Sequence, residues 1–280
     1  MSGNRRTGIL LLCFCWMACE KPVDIPVPYD GDKIVVNALL QPDSLLYLRV
    51  TRSQPPGASV FPEIPGASVS LKAGNASIPV SWQQIGGKGY FVSGSPVQYG
   101  LRYSLEVSAA GLDTVYATDT LPRAPLLSAP FAQAGGSRVR FVLRDLPGSD
   151  FYRFRLFHAS NNFVPEKRAR YRFDPSYNNN FTDLISDRFL EYTLISDERF
   201  EGREITVVMQ TEEVNKAGGY LLLEVTGLTH AAWLYLKTLE LQSSTTNNPL
   251  VEPGSVYSNV LDGYGIMAGT NSASLPIEVK

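Results

Sequence analysis

Beyond residue 19 the chain contains no cysteine: its three, Cys13, Cys15 and Cys19, all lie at or before that position. Disulfides, zinc–thiolate sites and cysteine nucleophiles are therefore excluded from everything that follows. Histidine is almost as scarce, with only His158 and His230, so any histidine-based triad must use one of these two. His158 ends a strand-like segment, and His230 falls in the first turn of a helical one, where the helix dipole disfavours its cation. No GxSxG, HExxH or P-loop pattern accompanies either; Gly86-Gly87-Lys88-Gly89 lacks the Ser or Thr and the following helix that a phosphate loop needs. Neither sign of charge dominates, since 25 Lys and Arg face 27 Asp and Glu. No global field draws the chain to nucleic acid or to anionic lipid. Long apolar runs are missing too: 9–18 is too short to span a bilayer.

That run nevertheless has a meaning. Arg5 and Arg6 precede ILLLCFCWMA, which matches the basic and apolar regions of a signal peptide over 1–18. It ends in Ala18-Cys19, and a small residue directly before cysteine marks a bacterial lipoprotein processing site, with Cys19 as the lipidated first residue. Several acyl chains together make a stable anchor, at roughly 0.8 kcal/mol per buried CH₂. Residues 19–32 then carry prolines and acids, as suits an extended tether, and acids just after the lipidated cysteine resemble a surface-export signal.

The rest of the chain is dominated by alternation. Apolar residues make up 44% of 280 positions, enough for a real core in one large or two ordinary domains. Residues 33–40 read as a nearly continuous apolar strand; then Leu46, Leu48 and Val50 alternate with Tyr47, Arg49 and Thr51. Val69 and Leu71, Val80 and Trp82, and Tyr103, Leu105 and Val107 repeat the pattern between turn residues, so 33–120 predicts an immunoglobulin-like or carboxypeptidase-regulatory-like β-sandwich. Three prolines in 121–130 predict a linker. A second β-rich domain follows over 131–280, with Val139, Phe141 and Leu143 and then Tyr152, Phe154 and Leu156 on strands. One segment has helical spacing: Thr229 as cap, then Ala232, Trp233, Leu236 and Leu239, a packed helix near 230–242 stopped by Asn248-Pro249. Trp233 is expected as a core anchor there. The 255–269 stretch reads as a closing strand pair with Gly263, Gly265 and Gly269 at its bends.

Two stretches invite a functional reading. Residues 160–184 form the least regular part of the second domain and mix Lys167, Arg168, Arg170 and Arg172 with Tyr171, Phe173, Tyr177 and Phe181. Exposed aromatics beside arginines suit a protein interface or a sugar-stacking surface, and Arg168, Arg170, Tyr171, Arg172, Phe173 and Tyr177 are the partner-binding candidates. Alternatively the aromatics tuck into the core and 169–173 is a strand. Asp197, Glu198, Glu201 and Glu204 crowd a turn, where they could coordinate calcium, supply paired carboxylates for glycoside hydrolysis, or simply lie on the surface. Their spacing matches no known metal loop, so no metal or cofactor is assigned.

Taken together, the lipoprotein cysteine, DKIVVNALLQPDS with LYLRVTRS, YSLEVSAAGLDTVYATDTLP, the SDERFEG turn and LTHAAWLYLKTLELQ followed by NPLVEPGSVYSNVLDGYGIMAG resemble the Bacteroidota lipoprotein family catalogued as domain of unknown function 4249. The resemblance implies an outer-membrane lipoprotein of two β-rich parts that accompanies a TonB-dependent transporter, and no catalytic residues; the acids after Cys19 add the expectation of exposure at the cell surface, with the periplasmic face as the alternative. A non-catalytic binding or assembly module is thus the leading expectation. A carboxylate hydrolase of surface glycans or peptides, or a structural or adhesive protein, are the alternatives.

Overall fold

Period-two alternation becomes strand pairing along most of the described residues, which are mainly β with helix confined to two segments. The computed structural model describes residues 29, 31–55, 57–178, 188–245 and 255–280. The leader over 1–18, Cys19, most of the tether, Phe181 and the Asn248-Pro249 stop lie outside the described residues. The first half contains β1 (Ile34–Leu40), β2 (Leu45–Arg52), β3 (Ser68–Ala73), β4 (Ala76–Ile78), β5 (Val80–Ile85), β6 (Lys88–Pro96), β7 (Arg102–Ser108) and β8 (Val115–Thr120). The second contains β9 (Leu126–Ala132), β10 (Arg138–Arg144), β11 (Phe151–Ala159), β12 (Pro165–Ala169), β13 (Tyr171–Phe173), the four-residue α1 (Pro175–Asn178), β14 (Tyr192–Ser196), β15 (Glu204–Thr211), β16 (Tyr220–Leu228), α2 (His230–Thr245) and β17 (Tyr264–Glu278).

Among the described residues these strands form three sheets. The largest runs β12-β11-β16-β17-β1-β2-β6-β5, with β14 also on β11; the others are β13-β15-β10-β9 and β4-β3-β7-β8. Ile34, Val36, Ala38 and Leu40 on β1 and Leu46, Leu48 and Val50 on β2 face Leu71, Tyr103, Leu105 and Val107, closing the first sandwich. A second core gathers Phe141, Phe154, Leu156, Tyr171, Phe173, Phe200, Met209 and Leu223. The Tyr171 hydroxyl is satisfied there, donating to the Phe154 carbonyl at 2.8 Å.

The two sandwiches share a strand. Residues 264–269 of β17 pair in parallel with 35–40 of β1, and residues 270–278 of the same strand pair antiparallel with β16. Met267 thus enters the first core and Ile277 the second. Two sequence expectations change here. In place of a closing strand pair over 255–269, only 264–269 is strand, the start of the fifteen-residue β17, and two of its glycines sit where the backbone is crowded rather than at bends. A Cβ on Gly265, whose φ is +103°, would lie 1.9 Å from the Val36 carbonyl oxygen, and one on Gly269 would lie 1.8 Å from that of Thr120. Likewise the proline-rich stretch is not wholly a linker, because β9 begins at Leu126 and pairs with β10. Pro130 fits within it because β9 is the last strand of its sheet, where a missing N–H is tolerated.

Helix α2 lies on the outer face of the large sheet where the sandwiches meet. Thr229 caps it, its Oγ1 accepting the Ala232 N–H at 3.4 Å. Ala232, Trp233 and Leu236 pack on Leu228, Ile266 and Ala268. Trp233 stacks on Phe151 with centroids 4.8 Å apart while Lys237 covers it at 4.4 Å. It is only partly buried, so Trp233→Ala should cost about 2–3 kcal/mol in a urea melt, below the range for emptying a closed aromatic site. A melt unchanged from wild type would mean that the helix is not docked through this ring. Leu239, expected on the packed stripe, is 40% exposed instead.

Candidate functional site

That exposed leucine belongs to a groove of about 960 Å³. Its floor is the outer face of the first sandwich, where the alternation that buries Val36 and Val50 necessarily turns Val35, Asn37, Arg49 and Thr51 outward. Tyr235, Leu239 and Gln242 of α2 form one wall, and Val60 and Phe61 of the β2–β3 loop form the other. Val60 and Phe61 are 72% and 52% exposed, large apolar groups with little of the protein around them. Beyond the groove the same sheet face continues through Leu39 and Tyr47, both nearly half exposed, with Tyr47 edge-on to Tyr90. A contiguous apolar surface of this kind, rimmed by polar groups, is the mark of a recognition site.

One strong donor on the floor is unmatched. The Arg49 Nε is buried without a hydrogen-bond partner, while Nη2 reaches Glu63 at 3.4 Å. Glu63 is itself held from behind, each carboxylate oxygen accepting the Gly89 N–H at 3.0 Å. Lys33 lies over the Tyr264 ring at the groove's end. The segment that leads into β1 lies beside this end: Asp32 pairs with Arg52 at 3.2 Å, and the Lys33 N–H donates to Ser53, which lines the groove.

A smaller pocket of about 540 Å³ lies at the junction of the sandwiches and is lined by Asp119, Asp150, Thr229 and His230 among others. Asp119 is a tie rather than a free acid. Its carboxylate accepts the Thr229 hydroxyl at 2.6 Å, the Gly269 N–H at 2.9 Å and the Thr120 N–H at 2.8 Å. Burial nevertheless pushes its carboxyl above the usual range, the three hydrogen bonds opposing that shift only in part. The acid so connects β8, the helix cap and the shared strand.

Among the described residues the one carboxylate trio close enough to hold a metal is Asp145, Asp150 and Asp197. Asp145 accepts the Tyr152 hydroxyl at 2.5 Å and the Gly202 N–H at 2.7 Å; Asp197 accepts the Asp150 N–H at 2.8 Å; Asp150 pairs with Arg123 at 2.5 Å. Burial raises the Asp150 and Asp197 carboxyls, with Asp145 adding like-charge repulsion, and raises the Tyr152 phenol as well. Protein donors already meet these carboxylates, which makes the trio a clamp between two turns. The sequence cluster around Asp197 is therefore regrouped. Glu198, Glu201 and Glu204 are exposed, and Asp197 instead joins two acids of the distant β10–β11 turn.

The partner-binding candidates are also redistributed. Tyr171 and Phe173 are 0% and 3% exposed, core residues of the second sandwich that no partner can reach in the folded chain. The arginines that alternate with Ala169, Tyr171 and Phe173 lie on the opposite face, and each has a partner: Arg168 pairs with Glu191 at 2.7 Å, Arg170 with Glu212 at 3.0 Å, and Arg172 donates to Gln210 at 3.0 Å. Tyr177 is exposed, with Arg138 over its ring. His158 approaches Glu213 at 3.7 Å and His230 stacks on Phe151. Sequence alone makes the sheet face that carries Tyr47 and Arg49 the second choice for a contact but misses the groove's Val60 and Phe61, although an apolar pair inside the Pro- and Gly-rich 55–66 loop is a readable signal of groups with no strand to bury them.

These features define a mainly β protein of two sandwiches built on one shared strand, with an open, apolar-walled groove between a helix and a sheet face. The chain belongs to the family described as Domain of unknown function (DUF4249), which matches residues 20–275. No curated protein matches it. Solved structures with some likeness include the Fcho1 Mu homology domain of Danio rerio with bound Eps15 peptide, at 11% identity over 89% of this chain and 96% of that one, with a TM-score of 0.23. Another pairs manganese lipoxygenase of Gaeumannomyces graminis with part of zonadhesin of Komagataella pastoris, at 8% identity over 70% of this chain and 88% of that one, with a TM-score of 0.20. Likeness at that level transfers neither fold nor function.

Proposed function

We propose that this protein is a non-catalytic binding or assembly module of the Bacteroidota outer membrane, anchored through lipid on Cys19, exposed at the cell surface and accessory to a TonB-dependent transporter. The observation that carries the reading is the groove, whose exposed Val60, Phe61 and Leu239 surround an arginine with an unmet donor. Desolvated aromatics and arginine are where interfaces concentrate their energy. No helix among the described residues is long and apolar enough to cross a membrane, so lipid is the means of attachment proposed. Ten residues from Cys19 to Tyr29 reach at most about 35 Å when fully extended, which keeps the groove end near the bilayer and near any integral partner.

Cys19→Ala should release the protein from the membrane fraction or leave an unprocessed precursor, and a wild-type N-terminus without acyl chains contradicts the anchor. For the groove, the combined change Phe61→Ser and Leu239→Lys should lower recovery of the transporter in a mild-detergent pull-down roughly tenfold or more, the equivalent of about 1.4 kcal/mol. Arg168→Ser with Arg170→Ser should leave recovery unchanged. Undiminished recovery with the groove variant, at an unaltered melting temperature, overturns the site.

A further inference from the structure

The large sheet ends at β5, and this edge differs from the others. The opposite end, β12, carries Pro165, Glu166, Lys167 and Arg168, the residues that discourage strand addition. Beside it on β11, β14 is bracketed by Glu191 and Asp197. In the smaller sheets β4 has only three residues, β8 is bridged by Leu261, β9 by Val279 and β13 by Leu190. By contrast β5 reads VSWQQI, with no charge, no proline and no bulge in its pairing with β6.

Its free backbone groups can be assigned. Gly86 and Gly87, with φ of +57° and +77°, make the two-residue turn that joins Ile85 to Lys88. In such a hairpin the residues flanking the turn bond to each other, so Ile85, Gln83 and Ser81 face β6 and Gln84, Trp82 and Val80 turn their N–H and C=O groups outward. The Gly89 N–H agrees with this register, since it points away from β5 to Glu63.

We infer that β5 pairs antiparallel with β5 of a second copy of this chain, joining the two large sheets into one about a two-fold axis. The strand is complementary to itself in that arrangement. Centred on Trp82, the outward groups of Val80 meet those of Gln84 in the second copy and Trp82 meets its own equivalent. On the solvent face Ser81 then lies opposite Gln83 of the second copy, a hydroxyl beside an amide, which is the same pairing those two side chains already make within one strand at 3.1 Å. No like charges are brought together, and the isologous contact closes on itself, giving a dimer instead of a fibre. This surface is separate from the groove and does not depend on its function.

Sedimentation velocity of the full chain in detergent should show a species of two protomers that builds up across the micromolar range. Gln84→Pro places a ring on an outward N–H and leaves the β5–β6 bonds intact, and Gln83→Lys puts a cation on the solvent face opposite Ser81; each should give monomer with an unchanged melting temperature. Should the proline variant fail to fold, the lysine variant carries the test. Benzoylphenylalanine at position 83 should cross-link to the second copy's peptide around Ser81. A wild type that stays monomeric throughout, a dimer that survives Gln83→Lys, or a cross-link that maps elsewhere overturns the inference.

Discussion

Gly269→Ala is expected to destabilise the protein by about 4 kcal/mol or more, the range reserved for changes that force the backbone apart. A Cβ at this position would lie 1.8 Å from the Thr120 carbonyl oxygen and 2.9 Å from its carbon, and neither atom belongs to a side chain that can swing away. The residue is buried where β17 passes from the first sandwich to the second, and its N–H holds Asp119 at 2.9 Å. Moving β17 outward therefore loosens both sheets at once. Gly66→Ala is the control, because nothing lies within 4 Å of its added methyl and its φ is ordinary. Urea unfolding followed by the fluorescence of Trp82, in the first sandwich, and Trp233, on the helix over the junction, reads both. A Gly269→Ala variant within about 1 kcal/mol of wild type would contradict the crowding at the shared strand.

The next largest effect is expected from Asp119→Ala, at about 2–3 kcal/mol. Removing the carboxylate takes the Thr229 hydroxyl's acceptor away in a partly buried junction, leaves the Gly269 N–H only its longer bond to the Thr229 Oγ1 at 3.3 Å, and frees the helix cap. Asp119→Asn retains a carbonyl acceptor and should cost less. Its penalty should also depend on pH. Because burial raises the folded-state pKa of Asp119, the protonated form is the one that folding favours. That contribution is complete below the unfolded pKa and is lost as pH rises through the folded one. Wild type should therefore gain stability relative to Asp119→Asn on acidification from neutrality toward pH about 4, the ordinary carboxylate range. A gap that narrows on acidification would show that the hydrogen bonds outweigh burial.

Local pattern made much of this fold legible. Alternation in 45–52 and 102–108 identified strands because one face of each is buried, and Thr229 announced its helix through a capping bond that spans three residues. Pairing between the two ends of the chain was not legible. Nothing local in GYGIMAG distinguishes a strand that adds to β1 from one that turns back on itself, and only the close approach to Val36 and Thr120 explains two of its glycines. The acid trio was hidden for the same reason, since Asp145 and Asp150 lie in one turn and Asp197 in another. Composition alone grouped the partner candidates, although alternation was present to divide them: Ala169, Tyr171 and Phe173 are one face of a strand segment and Arg168, Arg170 and Arg172 are the other. Period two separated the aromatics from the arginines that composition had grouped. The groove escaped because it forms between a helix, a loop and a sheet face that only the tertiary fold brings together.

The proposed role rests on partner contact in the groove, and site-specific photocross-linking in native membranes tests that contact most directly. A benzoylphenylalanine in place of Phe61 should give a covalent adduct with an outer-membrane transporter, identified by mass spectrometry and lost when Leu239→Lys is added. Tyr177, exposed on the second sandwich, should give no such adduct when replaced in the same way. An adduct from position 177 with none from position 61 would move the contact to the second sandwich and contradict the account.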